Sequence, residues 1–235
     1  MRVELWRLAY SDKVSEKDIL TSAAGTRLRV VRKSGEMGSS DSDWTNMLVL
    51  GDNFQVLGAL IQNDSVNGKV RLVYIDPPFS TGQDFRIGGS RSSTVSSSKS
   101  DKVAYEDRLA GAGYFEYLRR RLILLKEVLA DDGSIYVHVD CRVGHYVKVL
   151  MDEIFGENHF INDIARIKCN PKNFPRRAYG NIRDMILFYS KTSDYVWNNP
   201  RIPFTQDDIV RLFPKIDENG RRYTTNPLHA PGETE

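Results

Sequence analysis

The stretch that decides the fold is Val70-Arg71-Leu72-Val73-Tyr74-Ile75-Asp76-Pro77-Pro78-Phe79. Apart from Arg71, its first six residues are β-branched, aromatic or aliphatic, which is typical of a strand. The pattern ends abruptly in an acid, two prolines and an aromatic residue. We therefore predict a buried strand that delivers a rigid turn to the edge of a sheet.

The predicted turn presents hydrogen-bond acceptors. Each proline fixes its φ at about −65°, Pro78 also holds Pro77 extended, and neither residue has an N–H group. The turn thus offers the Asp76 carboxylate and nearby main-chain carbonyl groups, with Phe79 as an aromatic surface beside them. These features suit a planar amine on a ring, such as that of a nucleobase. The alternative is a stiff surface turn in which Phe79 fills the core.

Strand and helix patterns alternate around this turn. Residues 46–50 are a strand candidate that ends in Gly51-Asp52-Asn53, and residues 54–61 are a short helix candidate. A βαβ unit of this kind places both loops at the carboxyl ends of parallel strands. Ligands of open α/β sheets bind at that edge, so we expect the chemistry there.

The alternation repeats further along the chain. Leucines at helical spacing predict a helix over residues 114–130 that ends at Asp131-Asp132-Gly133. Residues 134–139 form a second strand pattern, and apolar residues from Val143 to Ile154 predict a helix that ends at Gly156. The sequence therefore predicts an α/β fold.

Other segments have weaker patterns. We interpret residues 1–44 as an irregular extension, with a strand-like run at 28–31 and a loop at 34–43. Residues 88–100 contain seven serines and form either a lid over a substrate or an idle insertion.

The composition of the carboxyl-terminal third differs. Residues 165–191 hold seven Lys or Arg, one acid and interspersed aromatics, so they contact nucleic acid or form a solvated face. One strand is predicted there, at 185–189. Residues 197–235 have little periodicity and are interpreted as extended loops.

The overall composition is that of an ordinary globular protein, with a formal charge of +2, 40% hydrophobic and 27% charged residues. Cys141 and Cys169 are too few for a disulfide framework or a four-cysteine zinc site. The cluster around His138 and His145 lacks a familiar zinc spacing, so no metal is predicted. No apolar run approaches 18 residues and the first residues do not form a secretory signal, so a cytoplasmic protein without a membrane role is expected.

Four blocks follow one another in a recognisable order: Gly51-Asp52-Asn53, Tyr74 to Phe79 with Thr81-Gly82, Asp132 to Asp140, and Val147 to Gly156. Their order and spacing resemble the amino-directed DNA methyltransferases of the β arrangement. That family comprises adenine-N6 and cytosine-N4 enzymes and includes modification subunits of restriction systems. The resemblance covers about residues 45–200.

The resemblance implies a partial Rossmann-like methyltransferase sheet with helices on both faces. It also implies that the Asp76 carboxylate and the Pro77 carbonyl accept hydrogen bonds from the target amine, and that Phe79 stacks on an extruded base. The catalytic residues are then Asp76, Pro77, Pro78 and Phe79.

The methyl donor implied by the resemblance is S-adenosylmethionine, with Asp52 and Asn53 near its adenine end. An N-cap role for Asp52 is equally compatible with its position before a helix. Adenine-N6 is favoured over cytosine-N4 because Asp rather than Ser opens the turn. The implied partners are double-stranded DNA and either a restriction subunit or a second copy of the chain.

One departure from the family concerns the Phe-x-Gly-x-Gly donor loop, which does not follow Phe160. We therefore expect the amino-terminal half of a methyltransferase, with an extension at 1–44, a catalytic α/β half-domain at 45–160, and further strands with the start of a target-recognition segment at 161–235. Two alternatives are a non-catalytic nucleic-acid-binding subunit and a different nucleotide-binding enzyme that shares the turn by chance.

Overall fold

The computed structural model describes residues 7–32, 46–78, 111–168, 177 and 179–225, together with the backbone of the strands at 84–87 and 102–106. The chain divides into two compact units, Met1–Val196 and Trp197–Glu235. Each unit has its own secondary structure.

The larger unit contains four helices, six strands and a short 3-10 turn at Glu157–His159 among its described residues. In chain order they are α1 Glu16–Ala23, α2 Asn53–Ile61, β1 Val70–Ile75, β2 Asp84–Ile87, β3 Lys102–Glu106, α3 Gly111–Val128, β4 Leu129–Asp140, α4 Gly144–Phe155, β5 Phe160–Ile167 and β6 Arg183–Ser190. The described part of the smaller unit contains α5 Gln206–Leu212, β7 Lys215–Ile216 and β8 Arg222–Tyr223.

Four strands of the larger unit form one mixed sheet in the order β1-β4-β6-β5. β1 and β4 are parallel, with Tyr74 opposite Tyr136, and the connection between them includes α3. β6 runs antiparallel to both of its neighbours, β4 and β5. The alternation of helices with parallel strands confirms the predicted α/β class.

The core lies between one face of this sheet and the helices. Val73, Ile135 and Val137 alternate along β1 and β4 and belong to the same buried cluster as Leu122 of α3 and Leu150 of α4. The opposite face carries the exposed Leu72 and Tyr74. In the described part of the chain, helices thus cover one face of the sheet, and the prediction of helices on both faces is confirmed for that face.

The strongest sequence patterns are confirmed as elements. α2, β1, β4, α4 and β6 occur where periodicity places them, and Gly156 adopts a φ of 94° immediately after α4. α3 ends earlier than predicted, at Val128, because Leu129 pairs with Val70 and continues the chain as strand. A hydrogen-bonding partner on β1 therefore overrides the helical pattern at this boundary.

One strand prediction is wrong, since residues 46–50 have no regular structure and Leu48 and Leu50 are fully exposed. The strand-like run at 28–31 also has no regular structure, as expected for an irregular extension. An apolar run becomes a strand only when a neighbouring strand satisfies its N–H and C=O groups. Within the described residues, neither run has such a neighbour.

Several elements carry weak sequence signals and were not predicted. α1 lies inside the supposed irregular extension, is capped by the Ser15 side chain and buries Ile19 and Ala23. α5 begins with a capping box formed by Thr205 and Asp208, inside the supposed extended tail. β5 was not predicted either, and neither was the β2–β3 hairpin.

The predicted loops at 34–43 and 88–100 lie outside the described residues. Among the helices that the structure describes, each is too short or too polar to cross a membrane.

Gly58 allows α1 and α2 to pack closely. A Cβ at position 58 would overlap the carbonyl oxygen of Ala23 and lie 2.8 Å from its carbonyl carbon. Although alanine normally stabilises a helix relative to glycine, we expect Gly58→Ala to destabilise the chain by about 2–3 kcal/mol because backbone must move. Urea unfolding measures the change.

Gly113→Ala in α3 is the matched control, since a Cβ there meets no atom within 4 Å. We expect it to be neutral or to stabilise the chain by up to about 1 kcal/mol. If Gly58→Ala and Gly113→Ala changed the free energy of unfolding in the same direction, close packing at Gly58 would not be the cause of the change.

Candidate active site

The acceptor turn follows directly from the parallel strand β1. After Ile75 the chain continues into Asp76, Pro77 and Pro78, and the Asp76 side chain is 56% exposed while both prolines are half-buried. The fourth predicted residue, Phe79, lies outside the described residues. The structure thus places the Asp76 carboxylate at the carboxyl end of a strand, as the sequence predicts, and accessible to a ligand.

A cleft of about 410 Å³ opens beside this turn. It is walled by the turn, the first residues of α2 and one side of α3: Asp76, Pro77 and Pro78 from the turn, Asn53 and Val56 from α2, and Tyr117 and Arg121 from α3. The cleft therefore brings the Gly-Asp-Asn block and the Asp-Pro-Pro block together, although 22 residues separate Asn53 from Asp76 in the sequence. Its volume is within the range of small-molecule sites.

Asp52 caps α2. Its Oδ1 accepts hydrogen bonds from the backbone N–H groups of Phe54, at 3.0 Å, and Gln55, at 3.2 Å. The N-cap interpretation is thereby confirmed. Its Oδ2 accepts a hydrogen bond from Arg121 at 3.3 Å, and the side chain remains 57% exposed.

Arg121 connects the two helical walls of the cleft. Its guanidinium lies 3.5 Å from the centre of the Tyr117 ring and donates hydrogen bonds to Asn53 Oδ1 and to the Tyr117 carbonyl. Burial lowers the pKa of Arg121, whereas the neighbouring Tyr117 and Asp52 oppose that shift. The Arg121 side chain therefore holds the start of α2 against α3 through its contacts with Asp52 and Asn53.

A second cleft, of about 590 Å³, shares Tyr117 and Arg121 with the first. It is lined further by Asp52, Phe54 and Arg120. The Tyr117–Arg121 pair therefore contributes to both clefts.

A histidine lies behind the acceptor turn. His138 of β4 has Nδ1 at 3.4 Å from Asp76 Oδ1 and at 3.2 Å from the Tyr74 hydroxyl, and its Nε2 lies 3.3 Å from Asp184 Oδ2. The His138 side chain is 9% exposed and that of Asp184 is 3% exposed. The acceptor turn is thus connected through an imidazole to a buried carboxylate on β6.

Sequence reasoning missed this connection. It assigned no functional role to Tyr74, His138 or Asp184. Their contact follows from the parallel pairing of β1 with β4, which aligns Tyr74 with Tyr136 and so brings the next residue on that face, His138, beside Asp76.

Asp184 is a buried carboxylate with three basic neighbours, Lys168, Arg166 and His138. Burial by itself would raise the pKa of Asp184, but contacts with Lys168 and His138 outweigh burial and hold it below its usual value. Arg166 Nη1 also lies 3.3 Å from Asp184 Oδ2. Two cations of the predicted basic segment are thus paired with a carboxylate of the same segment.

In the part of the chain that the structure describes, no three His, Cys, Asp or Glu side chains converge in the manner of metal ligands.

Comparison with known proteins gives consistent matches. A family model for the N6/N4 methylases, described as DNA methylase, matches residues 70–226. The type II methyltransferase M.EcaI of Enterobacter cloacae is 39% identical over 96% of this chain and 46% of that protein. The probable type III restriction-modification enzyme HindVI Mod subunit of Haemophilus influenzae is 27% identical over 76% of this chain and 21% of that protein.

Among solved structures, the M1.HpyAVI–SAM complex gives a TM-score of 0.39 at 18% identity, over 66% of this chain and 60% of that one. The chain spans less than half the length of the two curated relatives described above.

Asp184→Asn tests the electrostatic anchor on β6. Because its folded-state pKa lies below the ordinary value, the carboxylate stabilises the fold above pH about 4, and this contribution is lost as pH falls through the folded-state pKa. We expect Asp184→Asn to lower the free energy of unfolding by about 2–4 kcal/mol at pH 7. Urea unfolding of the unmodified protein and of Asp184→Asn from pH 7 to pH 2 measures the difference in free energy of unfolding, which we expect to become smaller as the pH falls.

The matched control is Asp64→Asn, at an exposed position in the turn before β1. We expect a change within about 0.5 kcal/mol for this variant. An Asp184→Asn penalty that stayed constant down to pH 2 would contradict an ionised Asp184.

Proposed function

The chain belongs to the N6/N4 DNA methylase family, and we propose that it forms the amine-binding part of a DNA methyltransferase that acts on N6 of adenine. The observation that carries this proposal is the exposed Asp76 carboxylate next to Pro77, at the end of β1 and at the edge of a cleft. Adenine rather than cytosine is proposed because Asp opens the turn.

The proposed role of the turn follows from the chemistry of an aromatic amine. The nitrogen lone pair is delocalised into the ring, so the amine is a poor nucleophile. Hydrogen bonds from its two N–H groups to the Asp76 carboxylate and the Pro77 carbonyl favour a tetrahedral nitrogen, whose lone pair is available. This is catalysis by alignment and electrostatics.

The same carboxylate is placed to receive a proton. When the amine nitrogen gains a fourth bond it becomes cationic and must lose one hydrogen. Asp76 is within hydrogen-bonding reach of that hydrogen in the proposed arrangement, and its exposure to solvent lets the proton leave.

Base extrusion is part of the proposal, because the adenine amine lies inside the duplex and is otherwise out of reach. An extruded base needs a stacking surface, and we assign that role to Phe79. Double-stranded DNA is the proposed substrate, and the smaller unit is proposed as the start of the segment that recognises the target sequence.

S-adenosylmethionine is the proposed methyl donor, and it supplies an electrophilic methyl group when bound. The residues present fit its adenosine part, since the Asp52 side chain is 57% exposed at the second cleft and Tyr117 offers an aromatic ring that lines both clefts. Asp52 and Asn53 are therefore proposed to hold the adenine end. A restriction subunit is a proposed partner, because type III Mod subunits are among the relatives.

A second candidate function is a non-catalytic DNA-binding subunit. Like the first function, it would use the exposed acceptor turn at Asp76 and Pro77. Donor binding separates this function from the first, because a non-catalytic subunit does not need S-adenosylmethionine.

Asp76→Ala is the direct test of the proposed function. In a labelled-methyl assay on unmethylated DNA, using the product of the complete reading frame, we expect at least a 100-fold loss of incorporation because a transition-state acceptor is removed. Chromatography of digested DNA identifies N6-methyladenine or N4-methylcytosine. Asp64→Asn serves again as the control and retains activity.

An unmodified protein that neither incorporates label nor releases heat with S-adenosylmethionine in calorimetry would refute the enzyme and support the DNA-binding subunit. Full activity of Asp76→Ala would refute the role of the turn.

Asp52→Asn separates the two roles of Asp52. Asparagine is as good an N-cap as aspartate, so we expect stability to change by less than about 1 kcal/mol. Loss of the negative charge weakens the acceptor for a hydroxyl or amine group of S-adenosylmethionine. We therefore expect its affinity, measured by calorimetry, to fall about tenfold. Unchanged donor affinity in Asp52→Asn would leave Asp52 as a helix cap.

A further inference from the structure

His138 occupies an unusual place between two carboxylates. One of them, Asp76, follows β1 and is 56% exposed at the cleft. The other, Asp184, lies on β6 and is 3% exposed. The imidazole contacts both through different nitrogens, at 3.4 Å and 3.3 Å. A rigid ring therefore links an exposed acceptor to a buried one.

The surroundings of the ring determine its orientation. Asp184 is held by Lys168 and Arg166 and cannot move away, and as a carboxylate it only accepts hydrogen bonds. A ring nitrogen binds a carboxylate only when it carries hydrogen, so contact with Asp184 requires hydrogen on Nε2 and contact with Asp76 requires hydrogen on Nδ1. The Tyr74 hydroxyl, 3.2 Å from Nδ1, contacts the other side of the ring.

We propose that His138 is a positioning residue that orients the Asp76 carboxylate for the target amine, with Asp184 as its anchor. The inference rests on the proposed function, since it concerns the carboxylate that accepts the amine. His138 Nδ1 restrains Asp76 Oδ1, which leaves Oδ2 for the substrate. An exposed aspartate would otherwise sample several side-chain rotamers, most of them unproductive.

The charged groups around His138 favour this arrangement. On β1 the facing groups are Tyr74 and Asp76, on β6 the facing group is Asp184, and on β5 Arg166 approaches Asp184. Asp140, two residues along β4, is paired with Arg142 instead. Asp140 therefore has its own basic partner, whereas Asp76 and Asp184 share His138.

His138→Phe keeps an aromatic ring but removes both nitrogens. In the product of the complete reading frame we expect kcat to fall about 30- to 100-fold, because a small misplacement of a reacting group has effects of this size. KM for DNA and for S-adenosylmethionine should stay within about threefold, since His138 is not proposed to touch either.

His138→Asn is the rescue variant. Its side-chain amide occupies roughly the place of Nδ1 and can donate to Asp76, although it does not reach Asp184. We expect kcat about fivefold or more above that of His138→Phe. Asp184→Asn, which leaves the ring unanchored, should lower kcat in the same way, and it provides a second route if His138→Phe does not fold.

His145→Asn, exposed on α4, is the matched control and should keep full activity.

A spectroscopic readout is independent of activity. In the chain labelled with ¹⁵N-histidine, long-range ¹H–¹⁵N correlation spectra show which ring nitrogen carries hydrogen, and the signals of His138 are assigned from their loss in His138→Asn. We expect hydrogen on both Nδ1 and Nε2 of His138, and a changed pattern in Asp184→Asn.

The outcomes separate this inference from the proposed function. Methyl transfer by the unmodified protein with normal kcat in all three variants would overturn the positioning role and leave the function standing. A His138 Nδ1 without hydrogen would also overturn it, because that nitrogen could not bind the Asp76 carboxylate. An inactive unmodified protein would refute the proposed function and the role that rests on it, even if Nε2 carries hydrogen and the anchor is intact.

Discussion

The parallel pairing of β1 with β4 is the constraint on which the rest of the site depends. Its register, with Tyr74 opposite Tyr136, sets Asp76 beside His138 on one face of the sheet and directs Val73 and Ile135 into the core on the other. Because side chains alternate along a strand, a slip of one residue would exchange the two faces. Burial of the apolar residues against the helices therefore also fixes the positions of the polar residues on the opposite face of the sheet.

The polar face is stabilised by pairing its buried charges. Burial of a carboxylate without a partner is costly, so a buried acid needs basic neighbours. Asp184 has Lys168, Arg166 and His138, and Asp140 has Arg142. These contacts make the carboxyl end of β4 a rigid support for the turn after β1, whereas Asp76 itself remains exposed to a ligand.

The cleft depends on a second contact, between two helices. Arg121 of α3 binds the Asp52-Asn53 block at the start of α2 and packs on Tyr117 of its own helix. This contact joins the α2 and α3 walls of the cleft, which the Asp-Pro-Pro turn completes. The smaller unit has no fully buried residue in its described part, so its stability rests on local features such as the Thr205 capping box.

The sequence by itself determined the elements with strong local signals: the strand and proline turn at 70–78, the leucine helix α3, the strand β4 and the helix α4 that ends at Gly156. Periodicity and fixed proline φ angles act over a few residues, so they are legible without the fold. The tertiary structure alone decided that residues 46–50 are not a strand and that Tyr74, His138 and Asp184 meet behind Asp76. Strand pairing and buried ion pairs join residues distant in sequence, and no local pattern specifies which of them come into contact.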